Sequence, residues 1–129
     1  MKTILAFLLV SLSMAPAAFA RDTTLLKAEL QAAMQRHLDR SSIDGALPFM
    51  NLETGEVEPL YPTESHPLIL TIGDSFVLCA DLRTAEGVKR IVDFYLTPAG
   101  KRYKIIRMEV DNRAPLKALM TAGVAKRLR

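Results

Sequence analysis

The sequence predicts an α+β domain: an N-terminal helix, an antiparallel meander of four to five strands and a C-terminal helix. Three observations carry that expectation. Apolar residues recur at spacings of three and four between residues 23 and 38, a helical period. From residue 46 to 110 the period shortens to two, in segments separated by turns that contain glycine or proline. The helical period returns after Pro115.

In TTLLKAELQAAMQRHL, Leu26, Leu30, Ala33, Met34 and His37 fall on one side, away from Lys27, Gln31 and Gln35. Asp22 or Thr23 can cap the start, and Arg36 and Arg40 suit the negative C-terminal end. The segments ALPFMNL and EVEPLY flank Glu53-Thr54-Gly55, a hairpin turn in which glycine tolerates positive φ. Pro48 and Pro59 place both strands at the periphery, since proline donates no ladder hydrogen bond. YPTESHP reads as a loop into LILTI, and Gly73-Asp74 turns the chain into SFVLCADLR. TAEG leads into VKRIVDFYLT, and Pro98-Ala99-Gly100 leads into KRYKIIRMEVD. APLKALMTAGVAKRL closes the chain as a helix, with Gly123 an unusual interior residue.

The first twenty residues, MKTILAFLLVSLSMAPAAFA, have the layout of a secretory signal peptide. Lys2 supplies the basic start, residues 4–12 the apolar core, and Ala18-Phe19-Ala20 the cleavage site. The apolar core is about half the ~20 residues a membrane span needs. The expected organisation is therefore a signal at 1–20 and a single domain at 21–129, with no transmembrane segment in the mature chain. The lone cysteine, Cys79, can form no internal disulfide, which suits a bacterial periplasm better than a disulfide-dense secretome. Periplasmic or secreted is the expected location.

Charge is unevenly distributed. Residues 21–88 carry 5 basic and 11 acidic side chains, a balance of −6, whereas residues 89–129 carry 11 basic and 3 acidic, a balance of +8. A basic C-terminal half can present a face to anionic lipid, polysaccharide or an acidic partner. The basic residues alternate with apolar ones instead of clustering, however, so the favoured expectation is that the two halves meet in one domain and offset each other. No recognition motif points to nucleic acid.

Alternation predicts which residues share a face. With Pro98-Ala99-Gly100 as a three-residue loop, Tyr95 opposes Tyr103, Asp93 opposes Ile105 and Ile91 opposes Arg107. The same parity across TAEG sets Cys79 opposite Ile91 and Asp81 opposite Lys89. Phe76, Leu78, Leu82, Val88, Val92, Phe94, Leu96, Ile106, Met108 and Val110 then form the core face, under one or both helices. The other face mixes apolar, aromatic and charged groups, as binding surfaces do. Its candidate binding residues are Asp81, Asp93, Tyr95, Tyr103 and Arg107. Cys79, beside Val77 and Ile91, is expected to be an inert buried thiol, with Arg107 the only candidate activator.

Nucleophile-elbow, zinc-protease, paired-cysteine and phosphate-loop motifs are absent, so no catalytic, cofactor-binding or metal-ligating residue is assigned and no cofactor is expected. The layout is similar in shape to cystatin-like and nuclear-transport-factor-like folds, a likeness that implies no function. The leading expectation is a non-enzymatic exported binding module. It would use the mixed sheet face or the basic half on a protein or small-molecule partner of the cell envelope, with a homodimer among the candidate assemblies. The alternatives are a pocket protein or enzyme with an aspartate base under the first helix, and a structural subunit of an envelope assembly.

Overall fold

A computed structural model describes residues 23–129. The signal segment, its cleavage site and Asp22 lie outside the described residues. The chain forms helix α1 (Thr23–Ser41), strands β1 (Leu47–Asn51), β2 (Glu56–Ile72), β3 (Ser75–Arg83), β4 (Lys89–Ala99) and β5 (Arg102–Val110), helix α2 (Ala114–Thr121) and strand β6 (Ala125–Arg127). All strand pairs are antiparallel. The sheet runs β1-β2-β3-β4-β5, with β6 added against β2. This is the expected α+β architecture with one strand more.

The helices take opposite faces of the sheet. Leu30, Ala33, Met34 and Leu38 of α1 bury against Phe76, Leu78, Leu82, Val92, Phe94 and Leu96, the even-numbered set. Leu47 and Leu60 extend this core into the β1–β2 hairpin. On the other face Leu116 of α2 and Ala125 of β6 bury with Leu70 and Val77, against half-buried Tyr95. The odd-numbered face is therefore partly roofed, not open.

Four expectations are corrected. The stretch YPTESHP is strand, not loop. Its two register irregularities, between Pro62 and Glu64 and between Ser65 and Ile69, absorb Pro62 and Pro67 within a continuous β2. The last helix stops at Thr121. There Gly123 takes φ +70°, its N–H donates to the Met120 carbonyl, and the Val124 N–H donates to the Leu119 carbonyl. That paired closure is a Schellman cap, and it turns the chain back as β6.

The third correction concerns register. The β3–β4 connection is five residues long, so Cys79 opposes Asp93 and Asp81 opposes Ile91. Val88, expected in the core, lies in this turn and is exposed. The fourth lies in the β4–β5 hairpin, which closes on Gly100-Lys101 alone, with Ala99 opposite Arg102. Tyr95 then opposes Arg107 and Asp93 opposes Glu109, but Leu96 opposes Ile105, so Ile106 is bulged out. A bulge inverts alternation. Tyr103 and Ile105 consequently turn to the α1 side, while Ile106 is exposed.

Candidate functional site

Two polar environments compete for the role of functional site: the roofed odd face and an open groove beside α1. The odd face gathers four of the five sequence-derived candidates. Asp81, Asp93, Tyr95 and Arg107 share it, but Tyr103 lies on the opposite side of the sheet.

Asp93 is 1% exposed at mid-sheet and faces Cys79 directly across β3–β4. The Cys79 thiol donates to Asp93 Oδ1 at 2.8 Å, and Arg113 Nε donates to Oδ2 at 3.2 Å. A second Arg113 nitrogen approaches Cys79 Sγ at 3.4 Å. Burial, reinforced by the Asp93 carboxylate, pushes the thiol pKa up to about 12. A nucleophilic cysteine needs the reverse, a depressed pKa and exposure. The thiol is buried, as expected, but its charged neighbour is Arg113 and not Arg107. Sequence reasoning overlooked Arg113 because it lies in the short link before α2. One signal was available: a cation at a helix N-terminus opposes the macrodipole and calls for another partner.

Asp81 accepts from Lys89 Nζ at 3.1 Å and contacts His66 Nε2 at 2.8 Å. Burial alone would raise its carboxyl, but Lys89 and His66 together hold it below the ordinary value. It borders a shallow hollow of about 200 Å³ with Gln35 and Leu38 of α1. That is smaller than the ~300–1,000 Å³ of typical ligand pockets, and the aspartate already has two partners. Arg107 pairs with Glu109, which also accepts from Asn112 Nδ2. The Asn112 hydrogen bond, ahead of Arg107, lowers the Glu109 pKa. Burial, with Asp93 next, raises that of Tyr95. Asp81, Asp93, Arg107 and Glu109 are each matched by a partner from within the fold.

A larger hollow, about 830 Å³, lies at the far end, between the β1–β2 turn and β5. Its main cation, Arg90, is matched by Glu58 at 3.1 Å and Asp111 at 3.0 Å. Arg90 Nε is buried without a partner among the described residues.

The groove between α1 and the β4–β5 turn differs. Arg36 and Arg40 project from one face of α1, and Lys101, Arg102 and Lys104 come from the turn and the start of β5. All five are exposed, and among the described residues none lies within ion-pair distance of a carboxylate. Among the described residues Glu29 is the one acidic side chain that lines the groove. Tyr103 lines the groove between them, fixed by Phe76 in an edge-to-face contact at 5.6 Å. His37 lies deeper, with its ring 6.2 Å from that of Phe94, and burial lowers its pKa. It therefore lines the groove as a neutral imidazole at neutral pH.

Among the described residues no three His, Cys, Asp or Glu side chains converge, and no helix is long and apolar enough to cross a membrane. Comparison with protein-family models, curated proteins and solved structures returned no match.

Proposed function

We propose that the mature chain, residues 21–129, is an exported binding module that captures an anionic partner through the groove between α1 and the β4–β5 turn. The observation that carries this reading is that Arg36, Arg40, Lys101, Arg102 and Lys104, none of them ion-paired among the described residues, border one groove. Self-repulsion among clustered cations costs stability unless a ligand or salt screens it. In this reading Tyr103 belongs to the binding site. Asp81, Asp93, Tyr95 and Arg107 instead hold the sheet and α2 in place, and the pocket-enzyme alternative loses its free aspartate base.

The test uses fluorescein-labelled dextran sulfate and fluorescence anisotropy in rising NaCl. Binding should weaken steeply with salt, since neutralised anionic sites release counterions. The double variant Arg36→Glu/Arg102→Glu should lose affinity at least tenfold with an unchanged melting temperature. Unchanged affinity in a folded variant would remove the groove from consideration. Intact mass of the exported protein beginning at Arg21 supports the export half of the proposal, and retention of residues 1–20 contradicts it.

A further inference from the structure

Two segments leave apolar side chains uncovered, and the charges around them have opposite signs. Residues 43–61, the β1–β2 hairpin and its flanks, carry four acidic and no basic side chains. Residues 113–129, which form α2, its cap and β6, carry five basic and no acidic ones. Glu58 is matched by Arg90, and Arg113 by Asp93. Among the described residues the other charges of both segments enter no ion pair. Of the ten large apolar side chains exposed among the described residues, five lie in the first segment and two in the second.

On the hairpin this exposure has one direction. Leu47, Phe49 and Leu60 pack into the α1 core, so alternation turns the residues between them outward. Pro48 opposes Pro59 and Met50 opposes Val57 on that outward side, which Tyr61 continues. The side carries no charge. Met50 is 50% exposed, Val57 58% and Leu52, at the tip, 89%. Glu53 and Glu56 flank the tip and are exposed. At the C-terminal cap, Lys117 and Met120 are exposed one helical turn apart on α2. Val124, also exposed, is tied to that helix by its N–H, which donates to the Leu119 carbonyl. Arg127 shares its side of β6 with Ala125, which is buried on the α2 side of the sheet.

We infer that the outward face of the hairpin docks on the α2–β6 cap of a second copy of this chain, so that copies associate head to tail. A contiguous exposed apolar face marks an association site, and the charges around it select the occupant. A second hairpin would set like charges against each other, and an anionic lipid surface would be repelled by Asp44, Glu53 and Glu56. The cap instead offers Met120 and Val124 together with Lys117 and Arg127. The two surfaces sit at opposite ends of β2. There β1 pairs with Glu56–Leu60 and β6 with Leu70–Ile72, roughly 30 Å of strand apart. Both are exposed in one molecule, so neither covers the other within it. Contact between unlike surfaces is heterologous and repeats into a closed ring or an open chain. The groove cations take no part, so the inference stands apart from the anion-capture reading.

Sedimentation velocity of residues 21–129 at rising protein concentration tests it. At low salt the weight-average sedimentation coefficient should climb with concentration, and high salt should weaken association about tenfold by screening the charges. Met50→Ser/Val57→Ser should weaken it with every charge in place. Glu53→Lys/Glu56→Lys and Lys117→Glu/Arg127→Glu should each stay monomeric, with melting temperatures near wild type, because all four side chains are exposed and unpaired. Mixing these two charge-reversed variants should restore association, since the reversed hairpin of one meets the reversed cap of the other. Wild type that stays monomeric at millimolar concentration, a dimer indifferent to both reversals, or no restoration on mixing the folded variants would overturn the inference. Monomer bound to zwitterionic lipid vesicles through Met50 and Val57 would assign the face to a membrane and overturn it too.

Discussion

Cys79 shows how one residue's chemistry is fixed by its neighbours. Its thiol is held protonated by burial and by the Asp93 carboxylate, and Arg113 supplies the countercharge that lets Asp93 remain buried. Removing one partner of such a pair leaves an uncompensated buried charge, which costs more than the pair contributes when intact. The raised thiol pKa has a stability consequence whose sign is definite. Below pH ~9 the thiol is protonated both folded and unfolded, and stability is unaffected. Between the ordinary value of 9.0 and about 12 the unfolded chain releases a proton that the folded chain keeps, so stability falls as pH rises. The expected slope approaches about 1.4 kcal/mol per pH unit, or roughly 2 kcal/mol lost between pH 9 and 10.5. Urea unfolding of wild type and Cys79→Ala across that range measures it, because Tyr95 titrates in both and cancels. Parallel pH dependences would show that the thiol is not held as described.

At the scale of elements, the sequence made the helix α1 and the strand parity legible and left the registers hidden. Leu30, Ala33 and Met34 bury as their spacing requires, and Phe76, Leu78, Leu82, Val92, Phe94 and Leu96 share the α1 face as alternation requires. The β4–β5 partners were displaced because turn length sets register, and Pro98-Ala99-Gly100 did not disclose that only Gly100-Lys101 would form the turn. The bulge at Ile106 was hidden for a related reason: Ile105 and Ile106 are both apolar, so composition cannot tell which one faces α1. That ambiguity moved Tyr103 from one candidate site to the other.

The C-terminal turn is a further case, since Gly123 was visible as an anomaly without its cause. Its positive φ ends α2 and launches β6 toward β2. A Cβ there would meet nothing within 4 Å, so any cost of substitution is backbone strain alone. Gly123→Ala is expected to destabilise the fold by about 1–2 kcal/mol. It should also raise amide exchange at Ala125–Arg127 ahead of the rest of the sheet. A loss below 0.5 kcal/mol, on the same scale, would mean that the cap is dispensable.

For the whole molecule, the uneven charge of the sequence acquires a spatial meaning. The basic C-terminal half was legible from composition, but its convergence with Arg36 and Arg40 was not, because those arginines belong to the net-acidic half of the chain. Tertiary packing of α1 beside the β4–β5 turn brings the two sets together. Elsewhere Arg90, Arg107 and Arg113 each meet a carboxylate, and Lys89 meets Asp81. Lys27, Arg83, Lys117, Lys126, Arg127 and Arg129 also have no carboxylate partner among the described residues, so the central claim is that five of the unpaired cations border one groove. The most direct measurement is amide chemical-shift mapping of ¹⁵N-labelled residues 21–129 titrated with a short dextran sulfate. Shifts should saturate and cluster on Arg36, Arg40 and 101–104, leaving Cys79, Asp93 and Arg113 still. Shifts centred on Asp93, Arg107 and Glu109, or none at millimolar ligand, would contradict the account.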